Sequence, residues 1–282
     1  MTPGQHDRPA PGPDQPATGE SVGAAFARVV VPGALYGLDL ATHVVALLLG
    51  AHTLATVTQA LLMPLLAAVL LGASTRPLAR ITRWALAALA LSWLGDVLPS
   101  TVRGDADDLR FLLMVGPFLL AQTTYVTAFW PDRRRVRPLT VAGYAVALAV
   151  LVGVCAPHAG TMLVPVLVYG AMLTAMAVLS TGLGRLAGLG GAVFFVSDGL
   201  IALGRFAGHP AGTAGSVAVM ATYGVGQALL VAGVLHRAGD MWAAPRSKHL
   251  PRPSGAVPGA TASGGVPGAT ASGGVAERGG EL

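Results

Sequence analysis

The sequence predicts an all-α, polytopic membrane protein with about eight transmembrane helices in one bundle. Of the 282 residues, 53% are hydrophobic and only 11% are charged, whereas a soluble domain has about 25% charged residues. The apolar residues form long uncharged runs, each close to the roughly 20 residues that a helix needs to cross the hydrocarbon core. The arginines fall in short gaps between these runs. That pattern is typical of membrane topology and argues against nucleic acid as a partner.

Eight apolar segments follow one another along the chain. Prolines lie within or near the start of several of them, which a bundle tolerates because neighbouring groups satisfy the freed backbone carbonyls. The predicted limits of the segments are 29–50, 56–73, 82–100, 109–129, 138–156, 161–181, 188–206 and 213–236.

The two ends of the chain differ from its apolar middle. Residues 1–27 are polar and rich in proline and glycine, which predicts a disordered N-terminal tail and not a cleavable signal peptide. Residues 28–238 form the predicted transmembrane domain. Residues 239–282 are predicted to be a disordered, low-complexity tail, because VPGATASGG occurs at 257–265 and again at 266–274. Repeats of such small residues cannot bury a core.

The basic residues predict the orientation in a bacterial-type cell membrane. With eight crossings, most of them fall on one side, and the positive-inside rule then places both termini in the cytoplasm. The basic residues on the predicted cytoplasmic side are Arg28, Arg76, Arg80, Arg83, Arg133, Arg134, Arg135, Arg137, Arg185, Arg237, Arg246, Lys248 and Arg252. The charged residues on the opposite side are Arg103, Arg110, Arg205, Asp105, Asp107 and Asp108.

Two aspartates within the apolar segments are the main candidates for a catalytic site. Asp96 ends the run WALAALALSWLGD, and Asp198 lies inside GGAVFFVSDGLIALG. A carboxylate in hydrocarbon is costly, so it usually faces the bundle interior or a wet cavity and marks a functional site. At about 1.5 Å per residue, the predicted depths of the two aspartates differ by only about 3 Å. We therefore expect both to meet in one polar cavity partway across the bilayer.

Other polar side chains fall at a similar depth and are predicted to line the same cavity as substrate-binding residues. The alternative is that they only form hydrogen bonds between helices, worth about 0.6–2 kcal/mol each. In the first segment, Asp39 and His43 are one helical turn apart, so we expect His43 to pair with Asp39 in a structural role. The candidate substrate-binding residues are Gln122, Tyr125, Tyr169, Tyr223 and Gln227.

The sequence predicts no metal and no cofactor. The only lysine is Lys248, in the C-terminal tail, so a retinal Schiff base inside the bundle is impossible. His43 is the only histidine clearly within a segment, which argues against a multi-histidine zinc site. The glycine-rich stretch at 181–191 follows no strand, so it is predicted to pack helices closely and not to bind a nucleotide.

Two carboxyl groups in one cavity can act as general acid and general base, because one can keep a proton while the other ionises. Such a pair cleaves acid-labile ether and glycosidic bonds. An alkenyl ether suits this chemistry, since protonation of its β-carbon gives an oxocarbenium ion that water converts to an aldehyde and an alcohol. We expect Asp198, with the more apolar flank, to be the acid and Asp96 to be the base. A lipid substrate would explain an active site within the bilayer.

Five stretches in order resemble the YhhN/lysoplasmalogenase family. They are LMPLLAAVLL, LSWLGD, GPFLLAQTTYVTAF, GAVFFVSDGLIAL and YGVGQALLVAGVL, and the resemblance covers roughly residues 30–236. It implies an eight-helix membrane protein that hydrolyses the vinyl ether of lysoplasmalogens, releasing a fatty aldehyde and a glycerophospho-base.

The resemblance also implies roles for particular residues. Asp96 and Asp198 match the acidic pair of the family, and the residues that match its polar cavity are Tyr125, Tyr223 and Gln227. The chain departs from the family at two positions, where the family often has a histidine and a lysine. These positions are Gln122 and Met63, respectively.

Two other functions would use the same aspartates. In a small-molecule or proton-coupled transporter they would form a relay, although the two halves of the chain show no internal repeat. In a non-catalytic membrane scaffold they would only be paired. The expected partners of the hydrolase are a lysophospholipid or another ether lipid and the membrane itself; the sequence does not predict an oligomeric state.

Overall fold

The computed structural model describes the backbone of residues 19–207 and 212–243, and the side chains of 27–207 and 212–239. These residues form helices joined by short turns and contain no strand, which confirms the all-α fold. The α-helices in this part of the chain are α1 (Gly19–Leu48), α2 (His52–Ala73), α3 (Arg80–Val97), α4 (Asp107–Phe129), α5 (Pro138–Ala159), α6 (Leu163–Ser180), α7 (Arg185–Phe206) and α8 (Thr213–Ala243).

Within the described residues, seven helical stretches are long and apolar enough to cross a membrane. The longest of them, Pro138–Leu183, has 46 residues and would measure roughly 70 Å as one straight helix, more than twice the hydrocarbon thickness. It contains α5 and α6, which are joined at Gly160 and pack against each other. Gly160 has a φ of 50°, which favours glycine. The chain is therefore an integral membrane protein.

The first and last helices extend beyond the apolar segments that predict them. The helix α1 begins at Gly19, within the predicted N-terminal tail, and α8 ends at Ala243, within the predicted C-terminal tail. The remainder of both predicted tails lies outside the described residues, as does the repeated nine-residue sequence.

Glycines bring α7 and α8 into backbone contact. A side-chain carbon at Gly190 would lie 2.6 Å from the backbone nitrogen of Leu230, and one at Gly233 would lie 2.7 Å from the Cα of Ala187. Small residues permit such an approach in membrane helices, as predicted for the glycine-rich stretch at 181–191. The two helices therefore form one closely packed pair, and this pair carries part of the candidate site.

Three aromatic rings fill the space between α4, α7 and α8. Phe118, Phe194 and Tyr223 meet edge to face, with ring centroids 5.6–6.5 Å apart. Gly95 on α3 leaves room for this cluster, because a side-chain carbon there would lie 2.5 Å from the Phe118 ring. The cluster fixes the position of the Tyr223 ring, whose hydroxyl reaches the candidate site.

A buried ion pair joins α8 to the turn after α4. Arg237 donates three hydrogen bonds of 2.9–3.2 Å to the two carboxylate oxygens of Asp132. Asp132 is only 8% exposed, so this pair has little contact with solvent. It lies at the predicted cytoplasmic end of the bundle, away from the candidate site.

Candidate active site

A cavity of about 620 Å³ contains both candidate aspartates. It lies toward the end of the bundle where α1 joins α2, α3 joins α4 and α7 joins α8, which the arginine pattern predicts to be the non-cytoplasmic end. Its walls are largely apolar. Asp96 is the next-to-last residue of α3, so the site lies closer to this end than the central depth predicted. The structure thus brings Asp96 and Asp198 to one cavity, as expected.

A second, smaller cavity adjoins the first beside Asp96. It has a volume of about 250 Å³ and reaches between α2 and the C-terminal end of α3. Asp96, Gln59 and Met114 line both cavities. Asp96 therefore lies where a bound molecule can extend in two directions.

The carboxylate of Asp96 accepts hydrogen bonds from two other helices. The Tyr223 hydroxyl on α8 donates to Oδ2 at 2.8 Å, and Nε2 of Gln59 on α2 donates to Oδ1 at 3.3 Å. The sequence predicted Tyr223 at this depth but did not single out Gln59. Both donors stabilise a negative charge on Asp96.

Asp198 has a similar but simpler environment. The Tyr169 hydroxyl on α6 donates a hydrogen bond to its Oδ2. Among the ion pairs of the described residues, none involves Asp96 or Asp198. Each acidic group therefore has a tyrosine hydroxyl as its partner, and Tyr169 and Tyr223 both line the cavity as predicted.

The other predicted substrate-binding residues lie behind the cavity wall. Tyr125 donates a hydrogen bond of 2.9 Å to Oε1 of Gln227, and Nε2 of Gln227 donates one of 3.1 Å to Oγ of Ser92. All three side chains are buried, and none lines the cavity. Ser92 precedes Asp96 by one helical turn on α3. This network therefore joins α3, α4 and α8 beneath Asp96 and does not face a bound molecule.

Gln122 also lies behind the wall. It is fully buried on α4, and neither polar atom of its amide has a hydrogen-bond partner of good geometry. It lies beside Tyr169, the residue that holds Asp198. The structure thus places Gln122 next to the site but outside the cavity lining.

The predicted pairing of His43 with Asp39 is wrong. Nδ1 of His43 lies 2.8 Å from the hydroxyl oxygen of Thr58 on α2, while Oδ2 of Asp39 is buried and unpartnered. The neighbouring helix provides a better-placed partner than the residue one turn away on α1. His43 reaches the cavity wall and Asp39 does not.

Charged residues stand at the outer end of the cavity. Arg205, near the end of α7, lines the cavity and forms an ion pair with Asp108 at the start of α4. Its guanidinium group lies over the ring of Phe111, 5.7 Å from the centroid. The sequence identified Arg205 and Asp108 only as markers of membrane topology.

The site can hold and move protons. Within the described ranges, no group of three or more histidine, cysteine, aspartate or glutamate side chains is arranged to hold a metal ion. The chemistry carried by these residues is that of two carboxyl groups and two tyrosine hydroxyls in a largely apolar cavity. Such groups can protonate an apolar molecule and activate water beside it.

Comparison with known proteins identifies a family and two similar proteins. The sequence profile of the YhhN family matches residues 54–234, which include Asp96, Asp198 and the residues that donate hydrogen bonds to them. The chain is 35% identical over 152 residues to proteins named lysoplasmalogenase from Mycobacterium bovis and from Mycobacterium tuberculosis. The match covers 49% of this chain and 57% of the length of each relative. No solved structure matches the chain significantly.

Proposed function

The chain belongs to the YhhN family, and from this membership we propose that it is a lysoplasmalogenase-like membrane hydrolase. It cleaves the vinyl ether bond of an ether lysophospholipid and releases a fatty aldehyde and a glycerophospho-base. One observation carries the proposal: Asp96 and Asp198 line the same largely apolar cavity, each with a tyrosine hydroxyl as its partner. The names of the two mycobacterial relatives support the same activity.

The hydrogen bonds suggest how the two carboxyl groups divide the work. Asp96 accepts two hydrogen bonds, from Tyr223 and Gln59, whereas Asp198 accepts one, from Tyr169. Hydrogen bonds donated to a carboxylate favour its charged form. Two charged carboxylates in one largely apolar cavity would repel each other, so a single proton shared between them is the favoured state. In the proposal Asp198 carries that proton and acts as the acid, and Asp96 acts as the base.

The reaction then proceeds in three steps and consumes one water. Asp198 transfers its proton to the β-carbon of the vinyl ether, which leaves an oxocarbenium ion at the α-carbon. Asp96 removes a proton from water as the water oxygen bonds to that carbon, giving a hemiacetal. Asp96 then protonates the ether oxygen while the hemiacetal hydroxyl returns a proton to Asp198. The carbon–oxygen bond breaks, and both carboxyl groups regain their starting states.

The shape of the site suits a lipid. The walls of the larger cavity are mainly apolar, and the smaller cavity continues past Asp96 between α2 and α3. A substrate whose cleaved bond lies between a polar headgroup and an alkenyl chain can therefore extend on both sides of Asp96. For a lipid monomer taken from water, burial of the chain supplies about 0.8 kcal/mol of binding free energy per methylene group.

The first test replaces each carboxyl group by an amide. Asp96→Asn and Asp198→Asn in purified protein should each lower aldehyde release from a lysoplasmalogen by about 10²–10⁴-fold, the usual contribution of a general acid or base. Asp39→Asn is the matched control, because Asp39 also lies in a membrane-spanning helix but does not line the cavity. It should keep near-normal activity.

A second test follows the transferred proton. In deuterated water, the aldehyde should carry one deuterium on the carbon next to the carbonyl, because that carbon was the protonated vinyl carbon. Mass spectrometry after immediate reduction to the alcohol would detect it.

Full activity of both amide variants, or no aldehyde release by the unaltered protein, would refute the proposal. Flux across liposomes that needs Asp96 but yields no lipid product would favour a transporter instead.

A further inference from the structure

An ion pair lies in the wall of the cavity, at the end away from the two carboxyl groups. Arg205 is the one arginine among the cavity-lining residues that the structure describes, and its guanidinium group binds the carboxylate of Asp108. The side chain of Arg205 is 35% exposed and that of Asp108 is 66% exposed, so an incoming molecule can reach both. The Phe111 ring lies against the guanidinium group and packs edge to face on Phe206, with centroids 5.6 Å apart. Arg205 is therefore held at the cavity mouth by two partners.

The spacing along α7 links this ion pair to the acidic site. Asp198, Ile201, Ala202 and Arg205 all line the cavity and occupy one helical face. Arg205 follows Asp198 by seven positions along the helix, which is a rise of about 10 Å. In a 1-alkenyl lysophospholipid, seven bonds separate the β-carbon of the vinyl ether from the phosphorus, about 8 Å when extended. The long side chain of Arg205 can cover the remaining distance.

From these observations we propose that Arg205 and Asp108 form the headgroup site for a zwitterionic phosphobase lipid. Arg205 binds the phosphate, and the carboxylate of Asp108 attracts the positively charged ammonium group of the base. The planar guanidinium group matches phosphate geometry. The ion pair between Arg205 and Asp108 is solvent-exposed, so breaking it costs little free energy. When the lipid binds, its phosphate replaces Asp108 as the partner of Arg205, and its positively charged base replaces Arg205 as the partner of Asp108. The assignment rests on the proposed function, since it identifies the headgroup class of the same substrate.

The main experiment measures binding of a lipid that cannot be cleaved. Saturated 1-O-alkyl lysophosphocholine keeps the headgroup and the chain but has no vinyl ether, so its binding does not depend on catalysis. Arg205→Gln should weaken its binding by about 10–100-fold, the effect of losing a charge-assisted hydrogen bond to phosphate. Binding of 1-O-alkylglycerol, which has no phosphate, should stay the same. Arg103→Gln is the matched control, because Arg103 is exposed at the same end and does not line the cavity.

A second variant keeps the charge and guards against a folding defect. Arg205→Lys can still attract phosphate but cannot form a bidentate pair, so its binding of the alkyl lysophosphocholine should fall between that of the unaltered protein and that of Arg205→Gln. Thermal unfolding in detergent would show that both variants are folded. Lysophosphocholine binding equal to that of the unaltered protein in both variants would overturn the proposal.

The role of Asp108 is tested by ligand selectivity. Asp108→Asn should weaken binding of alkyl lysophosphocholine several-fold but not that of alkyl lysophosphatidate, which has no amine. Asp107→Asn is the control, because Asp107 lies in the same helical turn but pairs with Arg110. Equal loss for both lipids would overturn the assignment of Asp108 to the amine.

Two further outcomes distinguish a lipid headgroup site from a general anion site and from the hydrolase itself. Glycerophosphocholine and inorganic phosphate have no chain and should bind far more weakly than the lipid; equal affinity would overturn a lipid headgroup site. If the unaltered protein released no aldehyde while Arg205→Gln still weakened lysophosphocholine binding, the proposed hydrolase would fail and the headgroup site would stand.

Discussion

Replacing Gly95 by alanine should damage both the packing and the site. An added carbon would lie 2.5 Å and 2.7 Å from two carbons of the Phe118 ring, whereas a normal carbon–carbon contact needs about 3.5–4.0 Å. The ring must therefore move by about 1 Å. The ring lines the cavity and packs against Phe194 and Tyr223, so its displacement disturbs both the cavity wall and these two neighbours.

The expected size of the effect follows from these contacts. Overpacking of this kind costs about 1–3 kcal/mol, and alanine regains about 0.5–1 kcal/mol over glycine in a helix. We therefore expect the free energy of unfolding to fall by about 1–2 kcal/mol. A shift of Phe118 also moves the Tyr223 hydroxyl away from Asp96. Misplacement of about 1 Å can lower a rate by about 100-fold, so aldehyde release should fall at least tenfold.

The measurement is thermal unfolding in detergent together with aldehyde release. Gly153→Ala is the matched control, since Gly153 lies within α5 and a side-chain carbon there would meet nothing within 4 Å. It should be as stable as the unaltered protein or slightly more stable, with unchanged activity. Equal stability and equal activity of the Gly95→Ala and Gly153→Ala proteins would refute the packing argument.

Two further substitutions test contacts at the two ends of the bundle. Tyr223→Phe removes one hydrogen-bond donor to Asp96 and should lower kcat for aldehyde release by about 10–100-fold, with little change in KM. Tyr144→Phe is the control and should have no effect, because Tyr144 lies in α5 and away from the cavity. A normal kcat for Tyr223→Phe would contradict the role of that hydroxyl. Asp132→Asn breaks the buried ion pair with Arg237 and should lower the free energy of unfolding by about 2–3 kcal/mol. Binding of lysophosphocholine should be retained. An unchanged unfolding curve would contradict a stabilising role for the pair.

The fold, and the placement of two acidic residues at one cavity, could be predicted from the sequence because each depends on strong, local energetic terms. Exposing a polar backbone to hydrocarbon is so costly that the chain must cross the membrane as long apolar helices. The lengths of these helices can be estimated from the apolar segments of the sequence. The cost of burying a carboxylate marked Asp96 and Asp198. Their similar predicted depths led to the expectation that both face one cavity, and both line the same cavity. These predictions do not depend on which helices are neighbours in the bundle.

The remaining details depend on how the helices are rotated against one another. The sequence does not reveal the hydrogen bond from Gln59 to Asp96, because this contact depends on how α2 and α3 are rotated against each other. Gln227 was expected in the cavity at the correct depth, but its side of α8 faces the buried Ser92 instead. His43 was assigned to the wrong partner for the same reason. Apolar residues cover most faces of these helices, so hydrophobic periodicity does not reveal rotation.

The backbone contact between α7 and α8 has a mechanical consequence for substrate choice. No side chain stands between Gly190 and Leu230 that could change rotamer to let the helices separate. The part of the cavity wall that carries Asp198 and Tyr223 therefore has little freedom to widen by separation of α7 and α8. If the protein acts on lipids as proposed, longer or bulkier chains must be accommodated by the other lining helices, among them α1, α2, α4 and α6.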